Sequence, residues 1–144
     1  MFRIGDRLLA LPITAVREIV DLQSITEVPA SPAFVLGIAS LRGSILSIID
    51  TSSLLYDEKS PRPSTKILVL VREDVVLSGL SVDAVHGVVP LHRSETLLDQ
   101  SATPTPFIGG HYDLGLGGLV AQIDLAAIYS HIDRQRTALN LEMT

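Results

Sequence analysis

Apolar residues in this chain come in short bursts separated by turn-forming residues, a rhythm that predicts strands and brief helices. Phe2 to Ile4 and Leu8 to Leu11 flank Gly5-Asp6, which predicts an opening hairpin. Beyond Pro12-Ile13-Thr14, Val16, Ile19 and Val20 fall at helical spacing with Arg17 and Glu18 towards solvent. That spacing predicts one or two helical turns over 15–20, capped by Thr14. Ile25 to Val28 reads as a short strand closed by Pro29, and Ser31-Pro32 as the start of a short helix through Phe34, Val35 and Leu36. After Arg42-Gly43, Ser44 to Ile49 reads as a strand apolar on both faces. Such a strand needs cover on its outside, as where two small barrels meet.

Asp50 to Ser53 can cap a short helix through Leu54 and Leu55. The polar stretch 57–65, with Pro61 and Pro63, is a loop and the candidate boundary between two halves of a single domain spanning 1–144. Lys66 to Val71, Val75 to Val82 and Val85 to Leu91, split by Glu73-Asp74 and Asp83-Ala84, predict a β-meander. Gln100 to Pro106 is a loop, Phe107 to Gly110 restarts order, and Gly115-Leu116-Gly117-Gly118 precedes a last strand through Ile123. Asp124 reads as the N-cap of a final helix with Leu125, Ile128, Tyr129 and Ile132 as its apolar stripe, fraying after Arg134.

Composition narrows the class. With 144 residues, 47% of them hydrophobic and 19% charged, the chain can bury a core and falls outside the disordered regime. Its net charge of −5, scattered basic residues and isolated aromatics argue against nucleic acid as a partner. Cysteine is absent, which removes disulfides, thiolate nucleophiles and thiolate metal sites from consideration. No apolar run reaches the ~18 residues of a membrane helix, and the first residues lack the pattern of a signal peptide, so the expectation is a cytoplasmic protein with no membrane insertion.

Candidate chemistry is thin. His86, His92, His111 and His131 never fall at metal-ligand spacings, and surface or loop positions account for them. Asp50 and Asp83 stand at strand ends, where catalytic carboxylates often sit, but capping and strand termination explain them more simply. The glycines at 115, 117 and 118 do not complete a phosphate-binding motif, because Val120 stands where a third glycine is required. Neither an enzyme nor a cofactor is expected. Arg42 is harder to dismiss. Between an apolar segment and an apolar strand, its guanidinium either meets a partner at the rim of buried surface or pairs internally with Asp50 or Glu18.

The run from Phe34 to Asp50, with Leu41-Arg42-Gly43 at its centre, resembles the signature of the CheW-like domain, a Phe-x-x-Gly-Val-x-Asn-Leu-Arg-Gly turn before a Val-Pro-Val-x-Asp strand. Val16-Arg17-Glu18-Ile19 is similar to the family's V-x-E-I segment and Gly79 to Val85 to its Gly-x-x-Val-Asp-x-Val element. Phe107 to Gly110 is similar to its late Tyr-x-x-Gly turn. Ser40 and Ser47 depart from the pattern, standing where the family favours Asn and Pro. The resemblance implies a mainly β fold of two SH3-like five-stranded barrels sharing a hydrophobic core, with short helices and a C-terminal helix. It also implies a non-enzymatic adaptor that couples a chemoreceptor's cytoplasmic helical hairpin to a histidine kinase regulatory domain. Val16, Glu18, Gly37 and Arg42 fall on its partner-contact segments, and Val85 and Val88 near its kinase-facing surface. Two alternatives are carried: a related coupler in a pilus-motility or phototaxis array, or a domain of a larger kinase; and, from a different class, a small-molecule-binding or hydrolytic β-barrel.

Overall fold

Short strands bounded by turns bury apolar side chains only by pairing and curling around one another, and this chain does so twice. The computed structural model describes residues 1–59, 65–72, 75–90, 105–113 and 119–142. His92, Pro61, Pro63, Glu73-Asp74, most of the 100–106 loop and the glycines at 115, 117 and 118 lie outside the described residues. In chain order the elements are β1 (Phe2–Ile4), β2 (Arg7–Ala10), a 3-10 turn (Ile13–Ala15), β3 (Val16–Asp21), β4 (Val35–Leu41), β5 (Ser44–Asp50) and α1 (Thr51–Tyr56). They continue with β6 (Lys66–Arg72), β7 (Val75–Ser81), β8 (Ala84–Val85), β9 (Ile108–Asp113), β10 (Leu119–Ile123) and α2 (Leu125–Glu142).

Two five-stranded sheets result, ordered β8-β1-β2-β10-β9 and β3-β6-β7-β5-β4. The first takes its strands from both ends of the sequence, with β10 running parallel to β2, while the second is built from the middle. The stretch 57–65 therefore falls between strands of one sheet, and the chain crosses between sheets after β2 and again after β7. The main core joins the two: Phe2, Leu9 and Ile123 of the first sheet meet Ile49, Leu70 and Leu80 of the second, with Leu54 and Leu55 of α1 and Ile128 of α2 filling between. Each such side chain contributes about 1.5–3 kcal/mol when fully buried. A smaller cluster of Ala39, Leu46, Ile48 and Ile67 fills the interior of the second sheet.

Several local expectations give way to tertiary pairing. Residues 16–21 form β3, not a helix, because β-branched Val16, Ile19 and Val20 gain a full antiparallel ladder against β6. The expected helix through Phe34 shrinks to one turn, in which the Val35 N–H donates to the Pro32 carbonyl, before β4 begins. The expected strand at Ile25 to Val28 reduces to a single bridge between Thr26 and Ile38. In β5 the burial is one-sided at first, leaving Ile45 73% exposed, and becomes two-sided only from Ile48. The predicted strand Val85 to Leu91 is confined among the described residues to Ala84 and Val85, which pair with β1. Asp50 precedes α1 without bonding its side chain into the first turn, whereas Asp124 does accept from the Ala127 N–H at 3.1 Å. The last helix runs on to Glu142, past the point where fraying is expected.

Candidate partner-binding site

The site begins with a turn. Leu41 pairs with Ser44, so only Arg42 and Gly43 join β4 to β5, with φ values of 51° and 82°. Two successive positive φ angles make the type I′ hairpin that matches strand twist, and Gly43 adopts it without strain. The turn carries Arg42 across to β3, where its Nη1 donates to Glu18 Oε1 at 2.6 Å. Because β3 and β4 are opposite edges of their sheet, this ion pair spans from one edge to the other. The Arg42 side chain remains 71% exposed and that of Glu18 only 21%. A pair so open to water contributes at most about 1 kcal/mol. Its role is to hold Glu18 in one orientation.

Gly37 serves packing. It is buried at a bulge in β4 with φ 152°, and a Cβ there would overlap the Thr26 carbonyl. It presents no surface to a partner.

The seam between the two sheets opens into a furrow of about 500 Å³. Val16 and Glu18 of β3, Val85, Val88 and Val89, and Leu11, Pro12 and Ile13 line it, over the buried Phe2, Leu68 and Val120 as floor. Four of the six residues singled out from the sequence thus come together: Val16, Glu18, Val85 and Val88. Gly37 and Arg42 lie outside it, Arg42 acting through Glu18. The two surfaces that the resemblance separates meet here on one furrow.

Sequence reading missed the rim. Ile13 is 66% exposed and Ile19 50%, and both line the furrow with Arg17. The available signal was apolar residues on both faces of a strand: Val16 packs on the shared core, Val20 on the smaller cluster, and Ile19 stays exposed.

The described histidines and carboxylates are dispersed. Asp83 Oδ2 accepts from the Gly5 N–H at 2.6 Å, holding the first hairpin, and the His131 ring lies 5.4 Å from that of Phe34 and 5.2 Å from that of Phe107. Among the described residues no three His, Asp or Glu side chains gather as metal ligands would, and no helix is long and apolar enough to cross a membrane.

Comparison with known proteins agrees with this geometry. A family model described as the CheW-like domain matches residues 1–133. The chemotaxis protein CheW of Rhizobium meliloti (strain 1021) is 30% identical over 93% of this chain and 88% of its own length. Protein PilI of Pseudomonas aeruginosa is 36% identical over 76% of this chain and 63% of its own length. The crystal structure of the scaffolding protein TtCheW from Thermoanaerobacter tengcongensis superimposes with a TM-score of 0.72 at 29% identity, over 85% of this chain and 80% of that one. Two SH3-like barrels joined through one core, with a model match across nearly the whole length, place this chain in the CheW-like domain family.

Proposed function

We propose that this protein is a chemotaxis adaptor that couples chemoreceptors to a CheA-type histidine kinase without catalysing a reaction. The observation that carries the proposal is the furrow between the barrels, open and apolar, with Ile13, Ile19 and Val88 exposed around it. Exposed apolar residues grouped along a groove are the mark of a surface completed by another protein. An amphipathic helix fits such a groove by laying its apolar stripe along it, and a receptor's cytoplasmic hairpin offers that stripe. We assign the furrow to the hairpin and the outer flank at Val88 to the kinase regulatory domain. The adaptor works by occupancy, needs no cofactor, and belongs in the cytoplasm, where both partners present these surfaces. The similarity to Protein PilI supports a coupler of a pilus-motility array as the second reading.

Co-sedimentation tests the assignment, using a receptor cytoplasmic fragment and the kinase regulatory domain. Wild type should pellet with the receptor fragment and carry the kinase domain with it. Ile13→Asp, at a 66% exposed position on the furrow, should fold normally and lose at least tenfold in co-sedimentation with the receptor fragment, because a carboxylate in an apolar contact must be desolvated. Undiminished binding by that variant removes the furrow from the interface. Retention of pilus-array receptors in place of chemotaxis receptors favours the second reading.

A further inference from the structure

The furrow's apolar lining explains why it takes a helix but not which helix. One charged residue on its rim is left over. Arg17 is exposed, lines the furrow beside Ile13 and Ile19, and takes part in neither of the two ion pairs among the described residues. Its place in the strand is unusual as well. Val16 pairs with Leu70 and Glu18 with Val69, so Arg17 is the extra residue of a bulge in β3. A bulge re-aims the side chain it carries and leaves that residue outside the regular ladder. Glu18, the acidic group nearest in sequence, lines the same furrow but is occupied by Arg42.

The furrow therefore carries an uncompensated cation on a protein whose net charge is −5. An acidic partner is repelled by the molecule as a whole and attracted locally at Arg17, so Arg17 can decide register and choice as well as affinity. We propose that Arg17 selects the helix that enters the furrow by pairing with a carboxylate beside that helix's apolar stripe. This rests on the assignment of the furrow to a helical hairpin and names the chemistry of its occupant. The guanidinium's fork suits a carboxylate in a way that a lysine would not reproduce.

Three synthetic helical hairpins test it, identical in their apolar stripe and carrying Glu, Gln or Lys at one flanking position. Their affinities for the full chain are measured by fluorescence anisotropy at low and high salt. Wild type should rank Glu over Gln over Lys, by about two- to fivefold per step, the range of an exposed ion pair. Arg17→Gln should flatten the ranking, Arg17→Glu should invert it, and salt near 1 M, where the screening length is about 3 Å, should erase it. A ranking that survives in Arg17→Gln, or equal binding of all three hairpins by wild type, overturns the proposal. Ile19→Asp separates the two levels of the argument. If it abolishes binding of every hairpin while wild type ranks them equally, the furrow stands and the role of Arg17 falls. If it binds as wild type does, or if wild type binds no hairpin, both fall.

Discussion

One missing methyl group sets the path of β4. Gly37 passes so close to the Thr26 carbonyl that any side chain would force two backbone segments apart, and its φ of 152° is one that other residues rarely adopt. Gly37→Ala should destabilise the fold by about 2–4 kcal/mol, combining overpacking with backbone strain. Urea denaturation checks this, and an unchanged midpoint would show that the strand can move aside. Loss of partner binding in such a variant would follow from unfolding. Side-chain chemistry at other positions was legible to different degrees. The sequence left Arg42 open between an internal pair and a partner contact. The structure shows it paired with Glu18 yet mostly exposed, an outcome that depends on β3 and β4 being opposite edges of one sheet. No local pattern carries that information. Ser47, where the family favours proline, lies in β5 between Ile38 of β4 and Ser78 of β7, a central position at which a proline would remove a backbone donor.

Elements were readable where local pattern and tertiary demand agreed. The first hairpin, β5 to β7 and the final helix all follow from spacing, turn residues and the Asp124 cap. Residues 16–21 failed because their apolar spacing suits a helix as well as a strand with two apolar faces, and only the presence of β6 decides between them. The final helix is the clearest success. It fastens the barrels together: Ile128 is fully buried in the shared core, and His131 sits between Phe34, which leads into β4, and Phe107, which leads into β9. Ile128→Ala should cost about 2–5 kcal/mol, as truncation of a buried aliphatic side chain does elsewhere. A loss below 1 kcal/mol in equilibrium unfolding would mean that the helix is not part of the cooperative core.

Across the whole molecule a polar strap supplements the core. Arg7 at the start of β2 forks onto both carboxylate oxygens of Glu58, just beyond α1, at 2.9 and 3.0 Å, and its guanidinium stacks 3.8 Å from the centre of the Tyr56 ring. The strap thus ties one barrel to the other. Hydrogen bonding from Arg7 holds the Glu58 carboxyl below its ordinary range. A carboxyl whose pKa is lowered by folding adds stability above its unfolded pKa, and that stability disappears as pH falls through the folded value. The melting temperature of wild type should therefore exceed that of Glu58→Gln at neutral pH. The gap should close as pH drops below about 4.3, the ordinary glutamate value, and through the lowered one. A gap independent of pH would detach the strap from that ionisation.

The division of strands between barrels also governs when this surface comes into being. One barrel is woven from residues 16–81, but the other waits for β10 to slot in beside β2, two strands that stand near opposite ends of the chain. Val120, which floors the furrow, arrives with that last strand. A half-synthesised copy emerging from the ribosome has no finished seat to offer.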